Sequence, residues 1–579
     1  MSVVIQPPSR LKALSACLFT ATLTLSPAIF AQEAILEGER FHPQQSRHGM
    51  VATSHFLASD VARDVLSAGG NAVDAAVVAG FALAVTQPRS GNIGGGGFML
   101  ISDEESDEVI AIDYRETAPS AAFETMFQDE EGEAVTERSR FTHQAAGVPG
   151  TVAGLALALE EYGTLSLAEA LKPAIRLAEE GFAVPPRFVE GLQDARGRFE
   201  AWDASMAKFF KEDGSAYAVG ETFRQPDLAA TLRRIAAEGA REFYEGETAQ
   251  KIAAEMQRHD GLITLEDLAE YQPVIREPSH GSYRGHDIYA MSPPSSGGAH
   301  IVQMLNILEE YPIDEMGFGS ADSMHLMAEA MKRAYADRSE YLGDTDFVDV
   351  PLSGITSKEY AAELRAQIDD QATPSIKIAP GNPVEYESNE TTHFSIVDDG
   401  GLAVSNTYTI NFSYGSGIVV DGAGFLLNNE MDDFSAKPGV PNAYGLIGGE
   451  ANKVEPGKRM LSSMTPTIVK RDGKNYLVTG SPGGSRIITT TLQVLMNVID
   501  HDMNIQSAVS APRMHHQWLP DEIRVEAGFS PDTLTLLQDR GHDISQQSAM
   551  GAAQSILIED GVYYGGADPR RSTSSAIGL

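Results

Sequence analysis

The chain has 579 residues, a length that suits two to four domains or one large domain with insertions, and its apolar and charged shares are those of a globular protein. Its 81 acidic residues outnumber its 43 basic residues, which gives a formal net charge of -38. A negative surplus of this size argues against nucleic acid or an anionic membrane as the partner, and it favours solubility.

The first 31 residues have the order of a secretory signal peptide. Arg10 and Lys12 precede a charge-free, mostly apolar run over 13–25, which is too short to span a bilayer as a helix, and small residues follow it. Ala31 is the preferred cleavage site and Ala28 is the alternative. We therefore expect export to the periplasm, with release to the medium as an alternative, and no membrane anchor on the mature chain.

The chain has one cysteine, Cys17, and it lies inside this leader. Residues 14–17 resemble a bacterial lipobox, which would make the protein a lipoprotein. A lipobox closes the apolar run, however, whereas most of this run follows the cysteine, so ordinary cleavage is preferred. The mature chain then contains no cysteine, which excludes disulfides, thiol catalysis and zinc–thiolate sites.

The segments after the leader predict two helices and a glycine-rich entry into a strand. Apolar spacing predicts a helix over 57–68 that ends at a Gly-Gly pair, and Asn71 can cap a second helix over 72–85. The second helix is apolar on all sides, so we expect it to be buried. The four glycines at 94–97 lack the spacing of a phosphate or dinucleotide loop, which favours close backbone packing.

The region 150–340 is predicted to be mainly helical, because its apolar residues recur with a period near 3.6. A short helix and an exposed, Pro-containing connection follow, and the connection ends near Asn389. Beyond it the pattern changes to strands and then a helix, which suggests layers of sheets and helices. The predicted elements there are strands over 391–397, 402–410, 467–470 and 476–479, with a hairpin turn after the first strand, and a helix over 485–499.

A Thr-Thr pair at a strand start is the first candidate for chemistry, since the chain has neither a Gly-x-Ser-x-Gly elbow nor a His-Glu-x-x-His metal helix. A threonine hydroxyl is a weak nucleophile. A cut between Glu390 and Thr391 would place the new α-amine beside that hydroxyl, and an α-amine titrating near about 7.7–8.0 is an available base at neutral pH. From the residues alone, a plain strand edge is the favoured interpretation.

Two polar segments of the last third are candidates for substrate binding. Strand periodicity puts Thr407, Thr409 and Asn411 on one face, which can line a site, although a solvated sheet face is slightly favoured from the residues alone. The dense acids over 428–434 repel one another unless a cation or donor lies nearby, and an ammonium group is a suitable partner. A solvated acidic loop is the favoured alternative.

A strand-to-helix turn and an arginine complete the candidates. Gly483 and Gly484 let the backbone approach a ligand, and N–H groups at a helix start can hold a developing oxyanion, although a plain turn explains them equally well. Arg115 has the fork shape that grips a carboxylate with two parallel hydrogen bonds, although a lone arginine after a strand is usually a surface ion pair.

Taken together, these motifs resemble those of the γ-glutamyltranspeptidases, in the superfamily of N-terminal-nucleophile hydrolases. The resemblance runs from about His48 to Arg570, nearly the whole mature chain, and the motifs occur in the family's order. The further matching segments are Gly-Gly-Asn-Ala-Val-Asp-Ala-Ala at 69–76, Gly-Val-Pro-Gly at 147–150, Pro-Pro-Ser-Ser-Gly-Gly at 293–298, Leu-Ser-Ser-Met at 461–464 and Gly-Ser-Pro-Gly-Gly-Ser-Arg at 480–486.

The resemblance implies the catalytic roles. Thr391 would be the nucleophile and the new N-terminus, and Thr409 would hydrogen-bond its hydroxyl. Gly483 and Gly484 would supply the oxyanion hole. Tyr444, in a segment over 438–445 that resembles the family's lid loop, would be the gate over the site.

The resemblance also implies how a γ-glutamyl group, which ends in a zwitterion, would be held. The residues for its α-carboxylate would be Arg115, Ser462 and Ser463. The residues for its α-ammonium would be Asn411, Glu430 and Asp433. Many bacterial relatives have Gln at the position of Glu430 and others have Glu, so the charge at this amine site is greater than in the former group. Holding the remote zwitterion would position the reacting carbonyl at Thr391.

The implied fold is the α+β, four-layer αββα sandwich of the superfamily. The precursor would become a large chain, 32–390, and a small chain, 391–579, that stay together as a heterodimer. Its activity would be transfer of the γ-glutamyl group of glutathione and related donors to Thr391, and then to water or to an amino-acid or peptide amine. The resemblance implies no metal, no organic cofactor and no nucleic acid.

Two alternative functions remain open. A cephalosporin acylase of the same superfamily would cut a glutaryl side chain, which lacks the α-ammonium and leaves Glu430 and Asp433 without a cation. An inactive binding protein would keep only the fold, and the intact Thr391, Thr409 and glycine pair argue against it.

Overall fold

The computed structural model describes residues 41–379, 391–440, 442 and 445–579. The predicted signal peptide with Cys17, and the predicted site residues Glu390 and Tyr444, therefore lie outside the described residues.

The strands in these ranges are β1 (Gln44–Ser46), β2 (Gly49–Thr53), β3 (Gly96–Asp103), β4 (Glu108–Asp113), β5 (Phe182–Ala183), β6 (Thr222–Phe223), β7 (Val274–Arg276), β8 (Ser279–Tyr283), β9 (His286–Ala290), β10 (Thr392–Asp398), β11 (Ala403–Thr409), β12 (Thr467–Arg471), β13 (Lys474–Thr479), β14 (Met514–His515), β15 (Ile523–Val525), β16 (Ile544–Gln546), β17 (Gln554–Glu559), β18 (Val562–Ala567) and β19 (Ser575–Gly578).

The α-helices in these ranges are α1 (Phe56–Ser67), α2 (Ala72–Thr86), α3 (Thr136–Phe141), α4 (Thr151–Tyr162), α5 (Leu167–Glu180), α6 (Pro186–Phe199), α7 (Asp203–Phe209), α8 (Pro226–Glu238), α9 (Arg241–Glu245), α10 (Glu247–Arg258), α11 (Leu265–Glu270), α12 (Gly297–Leu308), α13 (Ile313–Met316), α14 (Ala321–Tyr341), α15 (Leu352–Ile355), α16 (Lys358–Arg365), α17 (Arg486–Ile499), α18 (Ile505–Ser510) and α19 (Pro531–Asp539). Short 3-10 helices span His143–Ala145, Ser375–Lys377, Glu430–Asp433 and Glu450–Asn452.

Two antiparallel sheets of seven strands each form the centre of the described structure. The first sheet has the order β1-β18-β17-β13-β12-β9-β8, and the second has the order β19-β2-β10-β11-β3-β4-β7. In the second sheet, β10 and β11 follow the predicted cleavage point, yet they lie between β2 and β3, which precede it. The first sheet likewise combines β1, β8 and β9 with later strands, so the two predicted chains share both sheets.

The side chains alternate along each strand and so separate the layers. In β10, Phe394 and Ile396 pack into the core that also contains α2, whereas Val397 points to the core between the two sheets. In β13, Val478 belongs to that same central core, and Leu477 packs outward with α12, α14 and α17. Helix, sheet, sheet and helix are therefore stacked in this order, which confirms the predicted αββα sandwich.

The helix predictions near the start are confirmed. The two predicted helices appear as α1 and α2, and Asn71 caps α2 by accepting a hydrogen bond from the backbone N–H of Asp74. All residues of α2 are buried, as its apolar composition predicted. The glycines at the start of β3 do pack closely, because a Cβ on Gly97 would lie 2.4 Å from the Cβ of Tyr408.

The description of 150–340 as mainly helical is incomplete. Five strands, β5 to β9, lie within it: β5 and β6 form a small sheet of their own, and β8 and β9 form one edge of the first sheet. These strands are short and have mixed burial, so their sequence lacks a clear alternation of period two. Among the helices of the described ranges, none is both long and apolar enough to cross a membrane.

Candidate active site

Thr391 lies immediately before β10, and it is almost fully buried. Its carbonyl accepts a hydrogen bond from Nη2 of Arg571 at 3.1 Å. The hydroxyl of the next residue, Thr392, is 2.6 Å from the Ser54 hydroxyl, which in turn donates to Oε1 of Gln87 at 2.6 Å. The Thr391 carbonyl and the Thr392 side chain are therefore held by hydrogen bonds, and Thr391 itself lines a cavity.

The cavity collects most of the predicted site residues. It is lined by Arg115, Arg338, Thr391, Thr409, Asn411, Glu430, Asp433, Leu446, Leu461, Ser462, Ser463, Met464, Gly484 and Ile487. Gly483 adjoins this lining through its peptide bond to Gly484. These residues come from opposite ends of the chain, so only the folded structure brings them together.

Strand β11 carries Thr409 to the cavity, but the predicted polar face is not solvated. Thr407 is buried between the sheets, with its hydroxyl 2.8 Å from Nδ1 of His393. Thr409 ends the strand, and its Oγ1 accepts a hydrogen bond from the backbone N–H of Asn411 at 2.8 Å. The alternative of a solvated sheet face is therefore wrong, and Thr407 itself is outside the cavity lining.

Asn411 follows the strand and turns the chain toward the acidic segment. It has a φ of 70°, a left-handed conformation that asparagine tolerates better than most residues. Its side-chain Nδ2 donates to the carbonyl of Asn429 at 3.0 Å. The end of β11 and the 3-10 helix Glu430–Asp433 are thereby held side by side at the cavity.

The acidic segment is buried around Arg115, and it is not a solvated loop. Nη1 of Arg115 lies 2.5 Å from Oε2 of Glu430, and Nη2 lies 2.5 Å from Oδ2 of Asp433. Arg115 itself is fully buried, so the alternative of a surface ion pair is also wrong. Asp432 points away from the cavity, where its Oδ1 accepts a hydrogen bond from the Ser139 hydroxyl at 2.5 Å.

A third buried carboxyl group, that of Glu116, lies beside this cluster. Oε2 of Glu116 lies 3.5 Å from Nη1 of Arg115, and neither carboxylate oxygen of Glu116 has a hydrogen-bond partner in the described structure. One guanidinium therefore faces three buried carboxyl groups. A positively charged ligand group would relieve this imbalance, so the cluster is suited to an ammonium ion.

The pKa values follow from burial and from the opposing charges. Burial raises the pKa of Glu116 to about 8, against the opposing effect of Arg115. Burial likewise raises the pKa of Glu430 and of Asp433, although Arg115 opposes the rise in both. Burial by itself lowers the pKa of Arg115, but the nearby carboxylates outweigh it and the pKa is raised above its ordinary value. Arg115 is therefore charged at any working pH.

The segment 293–298 holds the backbone of Ser462, the residue before Ser463. The backbone N–H of Ser462 donates to the carbonyl of Pro294 at 2.8 Å, and the hydroxyl of Ser296 donates to the carbonyl of Ser462 at 2.9 Å. Both serines line the cavity, so their hydroxyls are available as neutral donors beside Arg115.

The glycine pair forms the turn that leads into α17. Gly483 has a φ of 141° and Gly484 a φ of 56°, conformations that favour glycine. Within the described part of the chain, neither backbone N–H donates a hydrogen bond. Two unengaged N–H groups at a helix start, one of them in the cavity wall, fit the requirements of an oxyanion hole.

Sequence reasoning missed Arg338, a second arginine of the cavity. It lies on α14 and is buried, with Nε donating to the Ser296 hydroxyl at 2.9 Å and Nη2 donating to the Ser463 hydroxyl at 3.2 Å. The helix has several charged residues in its second half, and its spacing does not distinguish a buried arginine from an exposed one. The sequence contained no signal for this residue.

Two clusters of histidine and glutamate in the described ranges could in principle hold a metal ion, and both lie outside the cavity. In the first, Glu255 is paired with Arg258 beside His143 and His259. The second consists of His325, Glu329 and His542, and there Glu329 is paired with Lys332 and Arg333. A cation already neutralises each carboxylate, which disfavours metal binding.

The chain matches known proteins over almost its full length. The family model described as gamma-glutamyltranspeptidase matches residues 58–578. A glutathione hydrolase proenzyme of Escherichia coli (strain K12) is 54% identical over 537 residues, which cover 92% of each chain.

Two solved structures are also similar. A cephalosporin acylase from Bacillus halodurans has a TM-score of 0.85 at 31% identity, covering 95% of this chain and 99% of that chain. A γ-glutamyltranspeptidase structure from Helicobacter pylori has a TM-score of 0.56 at 46% identity, covering 60% of this chain and 97% of that chain. These matches confirm the family resemblance that the motifs indicated.

Proposed function

Because the chain belongs to the γ-glutamyltranspeptidase family, we propose that it is a self-processing γ-glutamyltransferase and hydrolase whose nucleophile is Thr391. One observation carries the proposal. A single cavity is lined by a threonine at a strand start, by one glycine of a pair with unengaged N–H groups, and by cationic and anionic groups that suit a zwitterion.

Self-processing would begin with attack of the Thr391 hydroxyl on the carbonyl carbon of Glu390. The C–N bond breaks, the Thr391 nitrogen takes the proton, and Glu390 is left as an ester on Oγ. Water then hydrolyses this ester, which releases the carboxylate of Glu390 and restores the hydroxyl. The products are a large chain, 32–390, and a small chain, 391–579, and they stay together because their strands alternate in one sheet.

Turnover would use the same hydroxyl with a new base. The free α-amine of Thr391 takes the hydroxyl proton while Oγ attacks the γ-carbonyl of the donor. The developing oxyanion is stabilised by the N–H groups of Gly483 and Gly484, and Thr409 holds the hydroxyl. The leaving amine takes the proton back, and water or an acceptor amine then cleaves the γ-glutamyl ester on Thr391.

Recognition of the donor would depend on exchange of ion pairs. In the ligand-free site, Arg115 is neutralised by Glu430 and Asp433. A zwitterion can enter between them. Its α-carboxylate would accept hydrogen bonds from Arg115, Ser462 and Ser463. Its α-ammonium would pair with the carboxylates that Arg115 releases and would contact Asn411. The charge count is unchanged by this exchange, so the buried site never contains an additional unpaired charge.

Glutathione is the proposed donor, and amino acids or peptides are the proposed acceptors of the transfer reaction. We also propose that the mature enzyme acts in the periplasm after removal of the leader, that Tyr444 gates the cavity, and that no metal or organic cofactor takes part. The supporting observations are the family membership, the order of the first 31 residues and the position of Leu446 in the cavity lining close to the proposed lid.

The glutaryl acylase reaction is the second candidate, because the fold also resembles that of a cephalosporin acylase from Bacillus halodurans. The acidic residues of the cavity distinguish between the two reactions. A glutaryl group has no ammonium, so it would leave Glu430 and Asp433 without a new cation when its carboxylate binds Arg115.

The test is a comparison of two donors with the same leaving group, γ-glutamyl-p-nitroanilide and glutaryl-p-nitroanilide, with Thr391→Ala as the inactive control. We expect kcat/KM for the γ-glutamyl donor to exceed that for the glutaryl donor by roughly a hundredfold or more, the effect of removing one partner from desolvated charged contacts. Equal or reversed preference would replace this proposal with the acylase reaction.

A further inference from the structure

Arg338 differs from Arg115, the other arginine of the cavity lining, in having no carboxylate partner in the described structure. Its Nε and Nη2 donate to two serine hydroxyls, and within the described residues no carboxylate lies at ion-pair distance from it. On the same helix, Lys332 and Arg333 both pair with Glu329. A buried charge without a counter-ion is costly, and such a cost is expected where a ligand supplies the missing charge.

The guanidinium remains charged where it lies. Burial lowers the pKa of Arg338 to about 10, with Tyr335 and Asp433 acting against the decrease and Arg115 adding to it. At neutral pH the side chain is therefore cationic, and it lines the cavity that contains Thr391. The cavity thus has one arginine neutralised by acids and one that is not.

The two hydrogen bonds of Arg338 set the orientation of both serines in the proposed carboxylate subsite. The Ser463 hydroxyl accepts from Nη2, so its own proton is free to donate into the cavity. The Ser296 hydroxyl accepts a hydrogen bond from Nε and donates one to the carbonyl of Ser462. Loss of the guanidinium would therefore release the Ser463 hydroxyl and loosen the backbone that carries Ser462.

We propose that Arg338 is a positioning residue that determines specificity for donors with an α-carboxylate. It orients Ser463 directly and Ser462 through Ser296, and its uncompensated charge attracts the carboxylate while Arg115 is still engaged with Glu430 and Asp433. This inference rests on the proposed γ-glutamyl function, and it adds a second cation to the subsite that the motifs assigned to Arg115 and the two serines.

The test compares γ-glutamyl-p-nitroanilide with 4-aminobutyryl-p-nitroanilide, which is the same donor without its α-carboxylate. Each is measured with wild type, Arg338→Gln and Arg338→Lys, after the two-chain form has been quantified on a denaturing gel. We expect Arg338→Gln to lower kcat/KM for the γ-glutamyl donor by roughly tenfold to a hundredfold, mainly through KM, because it removes hydrogen bonds from a charged group. The 4-aminobutyryl donor should change by less than about threefold.

Arg338→Lys keeps the positive charge but loses the planar, forked guanidinium. Its activity toward the γ-glutamyl donor should therefore lie between those of Arg338→Gln and wild type. Arg333→Gln is the matched control, a buried arginine on the same helix that is outside the cavity lining. It should lower the melting temperature without changing the ratio of the two donors. The double variant Arg338→Gln/Ser463→Ala should lose less activity toward the γ-glutamyl donor than the product of the two single losses, because Arg338 acts in part through that hydroxyl.

The outcomes distinguish this inference from the function on which it rests. If wild type does not turn over the γ-glutamyl donor, the proposed function and the inference both fail. If wild type is active but Arg338→Gln leaves both donors unchanged, or slows both by the same factor, only the inference fails. If Arg338→Gln does not fold, Arg338→Lys decides through the same ratio: an unchanged ratio overturns the inference.

Discussion

Asp432 and Asp433 are neighbours in sequence with different environments, and they offer a matched test at the scale of single residues. Asp433 pairs with Arg115 in the cavity, whereas Asp432 is bonded to Ser139 and to Arg140 outside it. Asp433→Asn should lower kcat/KM for γ-glutamyl donors by on the order of a hundredfold, since roughly 2–5 kcal/mol is lost with one partner of a desolvated charged contact.

The same assay with Asp432→Asn should give a kcat/KM within about threefold of wild type, because Asp432 contacts Ser139 and Arg140 away from the cavity and its loss should act on stability and not on the donor. Similar losses in both variants would mean that the acidic segment acts as a whole and that Asp433 has no particular contact with the donor.

Glu116 gives the site a predicted pH dependence. Its raised pKa, about 8, keeps its carboxyl neutral below that pH and ionised above it. An ionised Glu116, 3.5 Å from Arg115, would compete with the α-carboxylate of the donor. The KM of the donor should therefore rise as the pH rises through about 8.

Glu116→Gln keeps the shape and removes this titration, so its KM should be flatter between pH 7 and pH 9. The α-ammonium of the donor also loses its proton at high pH, which is why the difference between wild type and Glu116→Gln is the quantity to measure. Parallel pH profiles for the two proteins would show that Glu116 does not influence donor binding.

At the scale of elements, the turn between β13 and α17 makes the clearest prediction. Gly483 has a φ of 141°, which residues with a side chain rarely adopt, so Gly483→Ala should rotate the peptide that carries the N–H of Gly484. Removal of one oxyanion-hole donor lowers kcat by roughly a hundredfold to a thousandfold in other enzymes. We expect kcat of Gly483→Ala to fall by at least tenfold at nearly constant KM, measured by active-site-normalised kinetics; a change confined to KM would contradict the assignment.

The helices and strands also show which parts of the fold could be predicted from the sequence. The caps and apolar patterns of α1 and α2, the hairpin β10–β11 and the start of α17 were predicted, because each depends on local periodicity and turn residues. The short strands β7 to β9 were not, since their stability comes from pairing within a sheet assembled from distant segments.

Some residues of the candidate site could likewise be predicted from the sequence and others could not. Thr391, Arg115 and the glycine pair lie in recognisable motifs, and the fold brings them to one cavity. Arg338 lies on α14. The apolar pattern of this helix predicts which of its faces packs against the neighbouring layers, but it does not predict which residues line a cavity. The burial of Thr407, Arg115 and the acids was also missed, because partners that come from other segments decide whether a polar side chain is buried.

At the scale of the whole molecule, cleavage should leave the described architecture intact. The second sheet takes β10, β11 and β19 from the small chain and β2, β3, β4 and β7 from the large chain. The backbone hydrogen bonds between β2 and β10, and between β3 and β11, therefore become bonds between chains. The processed protein should elute as one heterodimer in size-exclusion chromatography and separate only in denaturant; separate elution of two chains under native conditions would contradict the shared sheet.

The central claim is that cleavage creates Thr391 as an N-terminal nucleophile that carries the γ-glutamyl group. The most direct measurement is intact-mass spectrometry of the purified protein, mixed with a γ-glutamyl donor, quenched in acid and then fragmented. We expect a small chain that begins at Thr391 and carries one γ-glutamyl group on the Thr391 hydroxyl. The Thr391→Ala variant should carry no such adduct. A fully active protein that remains one uncut chain, or an adduct on another residue, would contradict it.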